Sequence, residues 1–306
     1  MLFKPAALFF IVLSVCILRS QVIAEESPLT QEEWNPPSAG PIITWTAPVC
    51  SKGEFVIQPF FFYNLTRGQF DDKGHYNSLI DGDKKYQYQE QLLMQYGITD
   101  KLELDAQTVY QQNYIKQDDL KAHDAGFGDS YLYLRYCLLE EGTRMPYLNG
   151  VLQVKMPTGK FQNLDPDKLK TDSMGTGSWD PGFGINLTKR FKPFIFHADA
   201  AYSFPQGVRI DGVKTIYGKY LNYDFGVEYF FSKGFNLMLE ANGFLQGDNW
   251  VDGSRLPGSD QRYLMVCPGI GWSNGKVQTL LAYQRVVTGT NTDANDSVVL
   301  TCVYTF

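Results

Sequence analysis

The chain has 306 residues, with 27 Lys+Arg against 33 Asp+Glu, and 15% of it is aromatic. It is too apolar and aromatic for a disordered chain, and a net charge of −6 offers no phosphate-neutralising field for a nucleic acid. Five cysteines with no Cys-x-x-Cys pair exclude a zinc ribbon or a dense disulfide scaffold.

Residues 1–24 read as a cleaved secretory signal. Lys4 gives the basic start, Ala6 to Leu18 the apolar run, and Val22-Ile23-Ala24 the cleavage site. The run is short of the roughly 20 residues a membrane-spanning helix needs. Residues 25–52 follow, with Trp34, Pro36, Pro37, Pro41, Trp45 and Pro48. Proline at that density forbids a helix or a central strand. The segment is expected to be a periplasmic arm or a plug inside whatever fold follows.

Residues 53–306 alternate with period two, the signature of strands rather than helices. Strands are predicted at 53–66, 84–97, 101–113, 127–139, 147–158, 177–189, 193–204, 218–231, 235–247, 260–273, 277–288 and 296–306. In 193–204, Phe194, Phe196, Ala198, Ala200, Tyr202 and Phe204 oppose His197, Asp199 and Ser203. In 220–231, Leu221, Tyr223, Phe225, Val227 and Tyr229 oppose Asn222, Asp224 and Glu228. In 235–246, Phe235, Leu237 and Leu239 oppose Asn236, Glu240 and Asn242. Long loops follow the odd strands, the last of them at 289–295. Short turns follow the even ones, with Asn274-Gly275 a strong hairpin pair, except after strand 4, where seven residues run from Glu140 to Pro146.

Strands of this length, in even number and with this rhythm, predict an all-β fold: an antiparallel transmembrane β-barrel of about twelve strands in the bacterial outer membrane. A soluble β-sandwich would alternate too. Against it stand the large, nearly charge-free apolar faces. Aromatics also gather at strand ends, Tyr86, Tyr88 and Tyr202 toward the loops and Tyr96, Tyr229 and Trp272 toward the turns. The chain ends on Tyr304 and Phe306 in an amphipathic strand, which resembles the assembly signal of outer-membrane proteins. The expected partners are outer-membrane lipids and lipopolysaccharide, the barrel-assembly machinery and a small-molecule solute.

If the apolar face meets lipid, the other face lines the lumen. Candidate lumen or ligand residues are Asp129, Arg135, Lys155, Asp180, His197, Asp199, Asp224 and Glu228. Asp129, Lys155 and Asp180 fall at the loop-side ends of consecutive strands and form a candidate charged ring at the mouth. They constrict or bind, or else lock three strands as a buried ion-pair network. Two outward charges, Glu90 and Arg285, break the pattern and are expected near a rim or as marks of a local register error. His197 and Asp199 share a face, but no Gly-x-Ser-x-Gly context surrounds any serine, so no catalytic residue is expected. The acidic loop clusters lack the spacing of a calcium loop, and no metal or cofactor is expected. Passive uptake of a small solute is the leading reading. The alternatives are a non-conducting structural or adhesion barrel and, behind it, a lipid-modifying enzyme.

Several motifs carry a resemblance. Gly126-Phe127-Gly128-Asp129 opens predicted strand 4, and Lys155-Met156-Pro157-Thr158-Gly159 closes strand 5. Gly175-Thr176-Gly177-Ser178-Trp179-Asp180 opens strand 6, followed by Gly182-Phe183-Gly184 and Lys189-Arg190-Phe191-Lys192-Pro193-Phe194. In this order they resemble the outer-membrane transporters named for the meta-pathway of phenol degradation. The resemblance spans about residues 50–306 and rests mainly on 126–204. It implies an outer-membrane barrel passing small aromatic or other hydrophobic compounds, and it says nothing of residues 25–52.

Overall fold

The computed structural model describes residues 34–232 and 234–306. The expected signal at 1–24 lies outside the described residues. Twelve antiparallel strands form one closed sheet. They are β1 (Phe55–Phe70), β2 (Lys84–Thr99), β3 (Leu102–Gln117), β4 (Ser130–Leu139), β5 (Tyr147–Met156) and β6 (Asp180–Phe191). Around the other side run β7 (Phe194–Ser203), β8 (Tyr220–Ser232), β9 (Phe235–Gln246), β10 (Gln261–Ser273), β11 (Val277–Thr290) and β12 (Thr292–Thr305). Each pairs with its neighbours in the chain. The last closes on the first, from Val56↔Thr305 to Phe70↔Thr292. Closure leaves no edge, so the wall's backbone groups are paired within the sheet, as hydrocarbon surroundings demand.

Side-chain alternation sets the two faces. Phe194, Phe225 and Leu237 point outward, Leu237 with 49% of its surface free, while Asn186, His197, Glu228 and Glu240 are buried inside. Tyr96, Tyr229, Phe231, Phe235 and Trp272 are exposed toward the turn end, and Tyr88 and Tyr202 toward the loop end. An apolar belt between two aromatic girdles is the surface of a barrel seated in a bilayer. Arg285 sits toward the outer end of β11, with Asp296 at 3.9 Å. Glu90 is exposed in the outer half of β2, opposite Phe61 and Tyr110.

Several boundaries depart from the sequence reading. Strands β1, β2 and β3 have 16 residues each and stand taller than the rest. A return strand, Leu120–Phe127, pairs back on β3 from Gln117↔Leu120 to Tyr110↔Phe127. Gly126-Phe127-Gly128-Asp129 therefore closes that hairpin instead of opening β4. Strand β5 stops at Met156 and β6 starts at Asp180, so residues 157–179 form a longer loop than expected. Residues 289–295, expected as a loop, are strand except for Asn291, which makes the turn alone with φ 50°. The polar run after Asn291 reads as loop by composition. It is strand because Thr292 to Asn295 pair with Phe70 to Thr66 of β1.

The inner face is not polar throughout, as the alternation suggested. On β1, β2 and β9 to β12, the residues Phe60, Leu93, Met238, Cys267, Leu280 and Val299 form an apolar cluster inside the barrel. Ile42 packs in its middle, supplied by a segment outside the wall. The four described cysteines are free.

Candidate functional site

The segment that supplies Ile42 crosses the inner half of the lumen. Trp34 packs edge-on against Phe230, at 6.0 Å, beside the turn after β8. Ser38 Oγ donates to both oxygens of Glu228, at 2.9 and 3.0 Å. Glu240 then accepts three successive backbone N–H groups, from Ile42 (3.0 Å), Ile43 (2.9 Å) and Thr44 (2.7 Å), and also the Thr44 hydroxyl. Asp199 takes the N–H of Trp45 at 2.8 Å, and Thr188 Oγ1 that of Ala47 at 2.8 Å. Asn149 donates to the Ala47 carbonyl, and Arg135 to that of Thr46. The segment leaves the lumen where Cys50 N–H meets Glu103, next to the β2–β3 turn. A chain without helix or sheet inside a barrel must place its backbone polar groups somewhere. Here the wall's side chains serve as its partners.

Several predicted residues belong to this clamp. His197 joins Thr188 Oγ1 at 3.1 Å to Glu228 Oε1 at 3.0 Å, linking the two ends of the segment through the wall. Arg135 pairs with Glu103 at 2.5 Å and lies 3.9 Å from Asp105, with the Trp45 ring 5.1 Å from its guanidinium. Arg135, His197 and Glu228 are thus committed to one another and to the segment.

The outer half holds a second cluster. The structure brings Asp129, Lys155 and Asp180 together: Lys155 Nζ lies 2.5 Å from Asp180 and 3.8 Å from Asp129, and donates to Thr176 Oγ1 at 2.6 Å. Asp129 accepts from Gly159 N–H (3.1 Å) and Thr176 N–H (3.0 Å), which folds residues 157–179 inward. This explains the glycines of the motif. A Cβ on Gly175 would lie 2.2 Å from Asp129 Oδ1, and Gly177 has φ +77°. The folded loop docks on β3, where Asn113 donates to the Thr171 carbonyl. Above the rim, Lys168 bonds Asp124 of the hairpin at 2.6 Å. That bond holds the Asp124 carboxyl below the usual carboxylate range.

Between clamp and loops lies a cavity of about 460 Å³, running from Pro205 and Tyr217 near the outer rim down to Ile43 and Trp45. Aromatic rings wall it. Tyr131 and Tyr133 stack at 6.0 Å, Trp45 and Tyr133 meet at 4.9 Å, and Phe244 stacks on Tyr263 at 5.4 Å. A second lobe of about 470 Å³, lined by Gln89, Gln91, Gln107 and Gln111, shares Tyr131, Tyr133, Lys155 and Thr176 with the first. Asp224 and Asp199, opposite one another on β8 and β7, line the first cavity at mid-barrel.

The inward aromatics, Asn149 and Thr188 were not among the residues expected from the sequence, and Asn242 was placed on the lumen face without being singled out. Tyr131 and Tyr133 have the parity of Asp129 and Arg135, which was the available signal. Their residue type pointed to lipid instead.

Residues 99–301 match the Phenol_MetA_deg family, described as the MetA-pathway of phenol degradation. No curated protein matches the chain. The COG4313 outer membrane channel from Pseudomonas putida F1 has a similar fold, with a TM-score of 0.70 at 16% identity over 85% of this chain and 98% of that one. The NanC porin gives 0.49 at 9% identity, over 81% and 98%. The translocator domain of autotransporter NalP from Neisseria meningitidis gives 0.46 at 11%, over 83% and 89%.

Proposed function

This chain belongs to the Phenol_MetA_deg family, and we propose that it is an outer-membrane channel for the passive uptake of small aromatic or other apolar solutes. The aromatic-walled cavity above the clamped segment carries the reading. Its volume lies in the range of ligand pockets, and its walls combine ring faces with charged and amide side chains. Residues 34–50 are the plug, 53–306 the barrel, and residues 1–24 the export signal. Asp129, Lys155 and Asp180 hold the inward loop at the mouth and set the local charge there. Phe306 and Tyr304 lie on the lipid face, their rings 4.6 Å apart, with Phe306 N–H bonded to Phe55 O at the closing seam. They are the signal to the barrel-assembly machinery, and the belt above them meets lipid and lipopolysaccharide.

The test is flux. Residues 25–306, refolded into liposomes, should pass phenol and benzoate faster than sugars of similar mass. Equal flux with empty liposomes would overturn the channel. One observation favours the second reading, a non-conducting barrel: the plug bonds to wall strands from β3 to β11 and spans the lumen. Barrels that stay closed both with and without residues 34–50 would establish it.

A further inference from the structure

We propose that the floor of the aromatic cavity is a binding site for a protonated amine carried on an aromatic or apolar body. This deepens the channel reading and rests on it for the solute's apolar part.

The basic groups that line the cavity are already engaged. Lys155 is held by Asp180 and Thr176, and Arg135 by Glu103 and Thr46. No Lys, Arg or His among the described residues forms an ion pair with Asp199 or Asp224. Each acid occupies an inward position at mid-barrel, and they face each other across the β7–β8 ladder. Two neighbouring carboxylates without a base do not make a site by themselves. A third group adds the missing direction. Asn242, paired with Asp224 across β8 and β9, is 4% exposed and lines the same cavity. Its Nδ2 donates to Asp224 Oδ1 at 3.0 Å, and the amide oxygen, Asn242 Oδ1, takes no part in that bond. That Oδ1 is buried and has no hydrogen-bond partner.

Buried acceptors left unpaired cost free energy until a donor arrives. Asn242 Oδ1 is unpaired, and Asp199 and Asp224, one oxygen of each taken by Trp45 N–H and Asn242 Nδ2, stand in the same paired row. The unpartnered donors along the cavity wall are Asn186 Nδ2, opposite Asp199 on β6, and Arg135 Nε. An ammonium group carries three donors and a positive charge, which matches the acceptors of that row. Two residues further out along the same faces stand Phe244 and Tyr263, and Trp45 and Tyr133 close the other side. Ring faces attract a cation and also shelter an apolar body attached to it. An inorganic cation would use the carboxylates alone and leave those rings unemployed.

The experiment compares 2-phenylethylamine with its uncharged isostere 2-phenylethanol. Binding is measured by titration calorimetry at pH 7 on residues 25–306 folded in detergent. The amine should bind one saturable site at least about tenfold more tightly than the alcohol. Asp224→Asn should erase that preference. Asn242→Leu should weaken the amine severalfold and leave the alcohol unchanged, and it serves if Asp224→Asn fails to fold. Equal binding of amine and alcohol would overturn the site, as would a preference that survives both substitutions. Competition by potassium at the amine's own concentration would overturn it too, by showing an inorganic-cation site. Liposome flux of 2-phenylethanol separates this proposal from the channel itself. A barrel that binds the amine but passes neither compound keeps the site and sinks the channel. A barrel that passes both without distinguishing them does the reverse.

Discussion

In the inner half of the lumen, Glu240 holds three backbone N–H groups, Asp199 and Glu103 one each, and Arg135 stands between Glu103 and Asp105. Toward the outer half, Asp224 stands between Asp199 and Asn242, and Asn242 Oδ1 has no partner. The strands do not change character between these levels: the same alternation sends polar side chains inward at both. What changes is whether the chain itself occupies the space. Where residues 34–50 fill it, Glu240, Asp199, Glu103 and Glu228 hold the segment's donors, although Asp105 stays without a hydrogen-bond partner. Beyond the segment, Asn242 Oδ1 has no partner beside a cavity walled by aromatic rings. A polar inner face is therefore neutral between closure and binding, and its occupant decides.

The sharpest way to break this contrast is Arg135→Leu. It leaves Glu103 and Asp105 as buried charges without a base, at a cost of about 3–5 kcal/mol. Urea unfolding of the barrel in detergent micelles should shift by that amount, and an unshifted midpoint would mean that the inner network is not closed. Glu240→Ala comes next. Three buried N–H groups lose their acceptor, at about 1–3 kcal/mol each. Loss of that latch should raise single-channel conductance severalfold in planar bilayers while the barrel stays folded. Conductance equal to wild type would show that the plug holds without it. In the outer half, Gly175→Val drives a side chain into Asp129 and should displace the inward loop for about 1–3 kcal/mol. Amine or alcohol binding should change, and resting conductance should not. If conductance changes as much as for Glu240→Ala, the two halves do not act separately. The smallest effect is acid. The Asp124 carboxyl is held below its unfolded value by Lys168, so the bond's contribution is complete above the ordinary carboxylate range. It fades as pH falls through that range, below about pH 4. Protease cutting within residues 157–179 should rise there and not between pH 5 and 8.

Much of the wall was readable before any coordinates. Period two in 193–204 or 235–246 needs only the local order of residues, because each strand exposes one face to lipid and one to the lumen. Strand order then puts Asp129, Lys155 and Asp180 at one end of three neighbouring strands. The path of residues 34–52 was not readable in this way. It has no period, and its partners lie far off in sequence, with Ile42 meeting Glu240 and Trp45 meeting Asp199. Tyr131 and Tyr133 were hidden by a conflict between parity, which sends them inward, and residue type, which favours the membrane surface. The Asn291 turn was hidden because polar strand residues above the membrane look like loop until their partner in β1 is known.

The plug enters beside the β8–β9 turn, where Trp34 meets Phe230, and leaves beside the β2–β3 turn, where Cys50 meets Glu103. Both crossings are at the same mouth. Over the described residues 34–50 the segment is a slip-loop that enters and leaves on one side. It can seat after the seam between β1 and β12 has zipped shut, and it can be drawn back toward the periplasm by unfastening hydrogen bonds alone. Unblocking the lumen then needs no strand of the wall to part.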